Sequence, residues 1–189
     1  MQAKVPLESE LKIPVTDFEP IRSALRGARA VAVRSMALEV NLLLDSDDGR
    51  LRDAGSLLRL RQHGDRELLT FKGPVSYRGA VKERPEYETD IADGERMGEI
   101  LERLGFSVFM RYEKEREEWL VGKVSVVLDH TPMGNFVEVE GPPGQLEQTA
   151  HLLGLNVAEA VRGSYVNLWH EYRASHPELA LPFDMVFGE

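Results

Sequence analysis

A chain of 189 residues with 42% hydrophobic residues can bury about 70% of its unfolded surface in one domain, and the lack of Cys excludes disulfides, thiol nucleophiles and Cys-based metal sites. A formal net charge of −9 and a pI near 5.2 argue against non-specific nucleic-acid binding, which depends on a basic exterior and counterion release. No apolar stretch approaches the ~18 to 20 residues of a membrane span, and the charged start from Met1 to Pro14 is unlike a signal peptide, so the expected location is the cytoplasm.

In chain order, the first segment, roughly residues 4 to 13, alternates with period two and reads as a strand. Thr16 and Glu19 are spaced as a capping box ahead of Phe18, Ile21 and Leu25, with Gly27 as the stop, which predicts a helix. Strand patterns follow at 31 to 44, 56 to 63, 66 to 72 and 80 to 90, separated by turn signals at Asp48-Gly49, Gly64-Asp65 and Gly73-Pro74. Asp93 precedes Met97, Ile100, Leu101 and Leu104 at helical spacing, and Gly105 ends that run. Further strands are predicted at 108 to 121, 124 to 130 and 135 to 140, around turns at Gly122-Lys123 and Met133-Gly134. Leu146, Ala150 and Leu153 before Gly154 predict a third helix, and the stripe Val161, Tyr165, Leu168, Trp169 and Tyr172 a fourth. Strands outnumber helices and hairpins outnumber crossovers, so the predicted class is α+β: an antiparallel sheet or barrel with helices packed outside. Residues 1–174 form the domain. Residues 175–189 form a tail whose segment Leu181 to Phe187 is too apolar to hang free; it packs on the barrel wall, caps its mouth or meets a second subunit.

The informative pattern is in the strands, where charges alternate with apolar residues. Glu8, Glu10 and Lys12 share one face of the first strand and Leu7, Leu11 and Ile13 the other. Arg59 and Arg61 alternate with Leu58 and Leu60, Thr70 and Lys72 with Leu69 and Phe71, and Glu138 and Glu140 with Val137 and Val139. Lys82, Arg84, Glu86 and Glu88 all stand at even positions of one segment. Any one strand is accounted for by the solvated face of a half-buried sheet. Jointly, however, that face carries almost nothing but Arg, Lys and Glu. The helices need an apolar wall to cover, so a closed sheet turns its charges inward. Burying an unpaired ion costs several kcal/mol against a domain stability of about 5–15 kcal/mol. A charged interior must therefore be wet and mutually compensated, which marks a site. Clustered Glu oxygens suit Mg²⁺ or Mn²⁺, and Arg and Lys hold phosphate oxygens. A cavity with both suits a polyphosphate bridged by metal to carboxylates.

Glu8-Ser-Glu-Leu-Lys12 resembles the Glu-x-Glu-x-Lys strand of the CYTH family, the triphosphate tunnel metalloenzymes, which include class IV adenylate cyclases, thiamine triphosphatases and inorganic triphosphatases. Its partners follow in order: Leu58-Arg-Leu-Arg61, Thr70-Phe-Lys-Gly-Pro74, Arg84-Pro-Glu-Tyr-Glu88, Lys114-Glu-Arg116, Asp129, Gly134 to Glu140 and Ser164-Tyr165. The resemblance runs from about Glu8 to Tyr172, and the spacing is most similar to the class IV cyclase-like group. It implies a closed eight-stranded antiparallel barrel with charges lining its bore. By the same resemblance Glu8, Glu10, Glu138 and Glu140 are metal ligands, and Asp129, Glu86 and Glu88 assist a second metal or its water. Lys12, Arg59, Arg61, Lys72, Lys82, Arg116 and Lys114 grip phosphates, and Arg84 is the eighth cation of the bore. Many relatives carry Lys immediately before the Ser-Tyr pair; here Gly163 stands there, with Arg162 next to it as a substitute phosphate contact. Leu44 replaces an aromatic often found before Asp45, a difference of packing more than chemistry.

His63, His130, His151, His170 and His176 have no metal-ligand spacing, although His63 shares the face of Arg59 and Arg61. Trp119, Trp169 and Tyr172 read as core, and Ser164 as a helix polar group, since no His-Asp pair accompanies it. The expected function is divalent-metal-dependent attack on a triphosphate-bearing small molecule, with Glu8, Glu10, Lys12, Glu86 and Glu88 as the catalytic set. Hydrolysis by an oriented water is the minimal activity. Cyclisation of ATP to cyclic AMP and pyrophosphate needs the same charges plus a base-and-ribose pocket. A non-catalytic polyphosphate or nucleotide sensor is the reading of another class, and an RNA 5′-triphosphatase is disfavoured by the acidic exterior. The tail and the resemblance both allow a homodimer. Eight cations and seven anions assigned to the bore sum to +1, which leaves −10 for the rest of the chain.

Overall fold

A computed structural model describes residues 6–188; residues 4 and 5 of the first expected strand lie outside them. Among the described residues the strands are β1 (Leu7–Val15), β2 (Val31–Ser46), β3 (Leu57–His63), β4 (Arg66–Lys72), β5 (Ser76–Arg78), β6 (Val81–Ile91), β7 (Phe106–Val121), β8 (Val124–Thr131) and β9 (Gly134–Glu140). The helices are α1 (Glu19–Gly27), α2 (Arg50–Asp53), α3 (Gly94–Arg103), α4 (Pro143–Leu152) and α5 (Tyr165–Ser175). The strands run in the order β1-β9-β8-β7-β2-β3-β4-β6, and β1 pairs with β6 to close the ring. Every one of these pairings is antiparallel. The fold is thus a closed eight-stranded antiparallel barrel, with the three-residue β5 outside on β6.

Alternation divides each strand between two environments. Leu11, Ile13, Val126, Leu128, Val137 and Val139 face outward and pack with Ile21, Leu25, Leu146 and Ala150 of α1 and α4. α3 covers another sector, where Leu101 meets Leu44 and Leu60. The hydrophobic core is therefore a layer between wall and helices, and the bore is left to the polar face.

α5 closes one end of the bore. Tyr165 and Trp169 pack there against Leu43, Met110 and Phe136, and the Ser164 side chain completes a capping box with Asn167. The capping box expected at Thr16 and Glu19 does not form. α1 has no side-chain cap of its own; Asp17, one residue nearer, accepts the Glu19 N–H at 3.0 Å, and Pro20 starts the first turn. Asp93 caps α3 as expected by accepting from the Arg96 N–H. The short α2 and β5, too brief to show a period, escaped the sequence reading. α2 is held by Asp45, which accepts from Leu51 and Arg52 N–H groups.

The tail packs on the wall. β7 pairs with β8 only from Glu115 onward, leaving an open edge before it. Met185 fills that edge: its N–H donates to Arg111 C=O and its C=O accepts from Glu113 N–H. The Met185 side chain is fully buried with Trp169.

Candidate active site

Glu8, Glu10 and Lys12 of β1, Lys82, Arg84, Glu86 and Glu88 of β6, and Leu57, Arg59 and Arg61 of β3 enter a cavity of about 420 Å³ inside the barrel. All eight cations assigned to the bore line it: Lys12, Arg59, Arg61, Lys72, Lys82, Arg84, Lys114 and Arg116. So do Glu8, Glu10, Glu86, Glu88, Glu138 and Glu140. Two assigned residues are elsewhere. Asp129 is fully buried behind the lining. Arg162 points away, donating to Gly79 C=O at 3.1 Å with its guanidinium over the Tyr77 ring.

Strand register explains the grouping. In the seam between β1 and β9, Glu10 faces Glu140 and Lys12 faces Glu138; across β1 and β6, Glu8 faces Arg84 and Glu10 faces Lys82. One oxygen each from Glu8, Glu10 and Glu140 lie within 4.8 Å of one another. Like charges set directly opposite repel, and the cost falls on Glu140: burial, then Glu138 and Glu8, push its carboxyl up to about 8. Glu8 goes the other way. Burial raises it, but the charge and hydrogen bonds of Lys72 outweigh this and hold it at about 2. Lys72 lies 2.7 Å from Glu8, and Lys82 lies 2.7 Å from Glu10. Three convergent carboxylates, one of them driven toward protonation by its neighbours, fit a hard divalent cation, which takes oxygen ligands and replaces the missing positive charge.

Gly141 places Glu140 at this seam. Its φ of +151° is a conformation that side chains rarely adopt, and an added Cβ would meet the Lys123 C=O at 3.1 Å. The Gly141 N–H also donates to Ser9 C=O, tying the end of β9 to β1.

The adjoining wall of β7 and β8 carries a cation network held by buried anions, which reaches the seam through Lys12 and Glu138. Arg116 donates to both oxygens of Asp129, at 2.7 and 2.6 Å, and to Glu138 at 2.6 Å. Lys114 donates to Asp129 at 3.0 Å, and Lys12 donates to Glu138. Burial opposes the charge on Glu138, but Lys12, Lys114 and Arg116 hold its carboxyl well below the usual range. Glu138 is thereby occupied by cations, in contrast to Glu140. The Tyr165 hydroxyl donates to Asp129 at 2.7 Å, and its ring lies under Lys12 at 4.1 Å and Lys114 at 4.9 Å. Burial, then Asp129 and Glu138, push the Tyr165 phenol well above its ordinary value.

Sequence reasoning missed three members of this wall. Glu39 is fully buried, 3.6 Å from Arg61, 3.4 Å from Lys114 and 3.8 Å from Arg116, with Asn41 donating to it. Burial raises its carboxyl, but those cations bring it well below the ordinary value. Tyr112 accepts from Arg59 at 3.1 Å, and Arg59 also donates to Thr70, which donates to Glu88. A signal existed: Glu39 and Asn41 alternate with Leu38, Val40 and Leu42 as the other lining residues do. Arg84 contacts backbone instead, donating to Gly73 C=O at 2.9 and 2.6 Å.

A closed antiparallel barrel with inward carboxylates and cations defines a tunnel protein built for polyanions with metal. Residues 6–160 match the CYTH domain, and the chain belongs to that family. A Methanocaldococcus jannaschii protein named "putative adenylate cyclase" is 24% identical over 173 residues, 86% of this chain and 98% of its own. A structure from Vibrio parahaemolyticus of the same printed name superposes with a TM-score of 0.78 at 20% identity, over 88% of this chain and 99% of that one. A protein from Hippeastrum, described as an adenylyl cyclase candidate that reveals a dominant triphosphatase activity, has a TM-score of 0.60 at 19% identity, over 89% and 96% of the two chains. The family's activity on triphosphates and its metal dependence accord with the bore.

Proposed function

We propose that this protein hydrolyses triphosphate-bearing small molecules, such as tripolyphosphate, thiamine triphosphate or a nucleoside triphosphate, with Mg²⁺ or Mn²⁺. The observation that carries the reading is the meeting of Glu8, Glu10 and Glu140 within 4.8 Å in a bore lined by eight Lys and Arg side chains. Those three glutamates would hold the metal, with Glu138 beside them. The bound cation supplies charge neutralisation and polarisation of phosphoryl oxygens.

The chain's own groups do the rest. Lys72 and Lys82, already beside Glu8 and Glu10, are the cations nearest the carboxylate cluster and take the phosphate oxygens there. Arg59 and Arg61 offer planar guanidinium forks on β3, while Arg116 and Lys114 are fixed by Asp129 and Glu39 so that little rearrangement accompanies binding. Glu86 and Glu88, on the β6 side, orient the attacking water toward the phosphorus. Burial, followed by the Glu8 charge, raises the carboxyl of Glu86, which suits it to accept a proton.

The names of the relatives favour a second reading, ATP cyclisation, in which the ribose 3′-hydroxyl attacks the α-phosphorus and pyrophosphate leaves. Phosphorus NMR of the protein with each triphosphate and Mg²⁺ or Mn²⁺ separates the two. Orthophosphate release is expected; cyclic AMP with pyrophosphate replaces hydrolysis by cyclisation, and tight binding without turnover makes the protein a sensor. Glu10→Gln is expected to lower metal-dependent turnover at least about 100-fold with the fold intact, since it takes one of three anionic ligands from the site. Full activity in that variant overturns the assignment.

A further inference from the structure

The bore does not end at the reaction cavity. A second cavity of about 200 Å³ lies beyond it, and Arg61, Glu88, Arg116 and Glu140 line both. At the far end stands His63, last residue of β3 and 3% exposed. Its Nδ1 is 3.5 Å from Glu118 Oε1, while Nε2 is buried with no hydrogen-bond partner among the described residues. Burial lowers the His63 pKa, so the ring is neutral near pH 7. With the Nδ1 proton assigned toward Glu118, Nε2 is an acceptor. A buried acceptor without a donor costs about 1–3 kcal/mol, and a native structure retains such a group where something completes it.

We propose that this rear cavity binds inorganic hydrogen phosphate. That ion matches the lining because it carries both kinds of hydrogen-bonding group. Its P–OH donates to His63 Nε2, and its remaining oxygens accept from guanidinium groups. Arg61 uses Nε for Asn41, and its two terminal nitrogens make no hydrogen bond among the described residues. Arg66 and Arg116 stand on the same lining, as does Glu118, which discriminates against a fully ionised polyphosphate. If hydrolysis is the reaction, a role that rests on the function proposed above, the site receives the released orthophosphate from the reaction cavity through the shared residues. Phosphate then leaves by the rear without passing the remaining diphosphate.

The test titrates inorganic phosphate into the intact protein while the His63 ring nitrogens are followed by nitrogen-edited NMR. A saturable shift at Nε2 is expected. In calorimetry, His63→Leu is expected to weaken phosphate binding about tenfold, and to raise the inhibition constant for phosphate while KM for tripolyphosphate changes less than about twofold. Glu118→Gln, which removes a negative charge but leaves a side chain to orient the ring, is expected to tighten phosphate binding several-fold. No shift at His63, or phosphate affinity unchanged in both variants, overturns the site. Phosphate binding at His63 in a protein that turns over no triphosphate keeps the site and sinks hydrolysis alone.

Discussion

The two faces of the barrel wall use opposite physics. Outside, Leu11, Val126, Leu128, Val137 and Val139 are sealed under α1 and α4; inside, the same strands carry Lys12, Asp129, Glu138 and Glu140. Burial of apolar area on the outer face stabilises at about 25 cal/mol per Å². The inner face offsets the cost of burying ions only through pairing. Stability and chemistry are thus separated by a single residue step along each strand, and substitutions test how complete that separation is.

The comparison breaks hardest at Asp129. This inner residue compensates Lys114 and Arg116 and accepts from Tyr165, so Asp129→Ala leaves these two buried cations only Glu39 and Glu138 as counter-ions and is expected to cost about 3–5 kcal/mol. Chemical denaturation measures it; a loss below about 1 kcal/mol would show that the interior is wetter than the ion pairs imply. On the outer face, Leu11→Ala removes a fully buried side chain and is expected to cost about 2–5 kcal/mol while metal affinity stays within about threefold. A change in metal affinity as large as the change in stability would join the two faces.

The smallest effect is the sharpest, because its sign is unusual. Glu140 is pushed from 4.5 to about 8 in the folded, metal-free protein. Between those values the folded state binds the extra proton, so this group's contribution to stability falls as pH rises from about 4.5 through 8. Glu140→Gln is therefore expected to leave thermal stability unchanged near pH 4 and to raise Tm above pH 8 in the absence of metal. Metal binding by the unaltered protein should release a proton below pH 8, read by calorimetry in buffers of different ionisation enthalpy. A variant less stable than the parent at pH 8.5 would mean that Glu140 is compensated by something other than a cation.

Much of this was legible before folding. Alternation in β1, β3, β4, β6 and β9 marked Glu8, Glu10, Arg59, Arg61, Lys72, Lys82, Glu138 and Glu140, and all of them enter the cavity. Glu39 was overlooked because one acidic residue among Leu and Val in β2 looks like a surface interruption until its neighbours Arg61 and Lys114 are known. Arg162 was placed by its nearness in sequence to Ser164; the loop before α5 turns it toward Gly79 instead. The tail packs on the wall because β8 stops short and leaves the β7 edge for Met185.

By itself the sequence determined which side chains share a face, because the period of an extended chain is a local property of its backbone. It also determined the class of ligand, because residue type fixes charge and donor geometry. Only the tertiary structure decided that the charged face points inward, since that follows from the closing pair of β1 with β6. Tertiary structure likewise decided which carboxylates remain near one another unneutralised and which are taken by cations. Glu138 and Glu140 are two residues apart on one strand, yet Lys12 and Arg116 hold the first charged, while burial and then the charges of Glu138 and Glu8 drive the second toward protonation. Lys12, more than a hundred residues away in sequence, and Arg116, on another strand, set that difference, and no local pattern carries it.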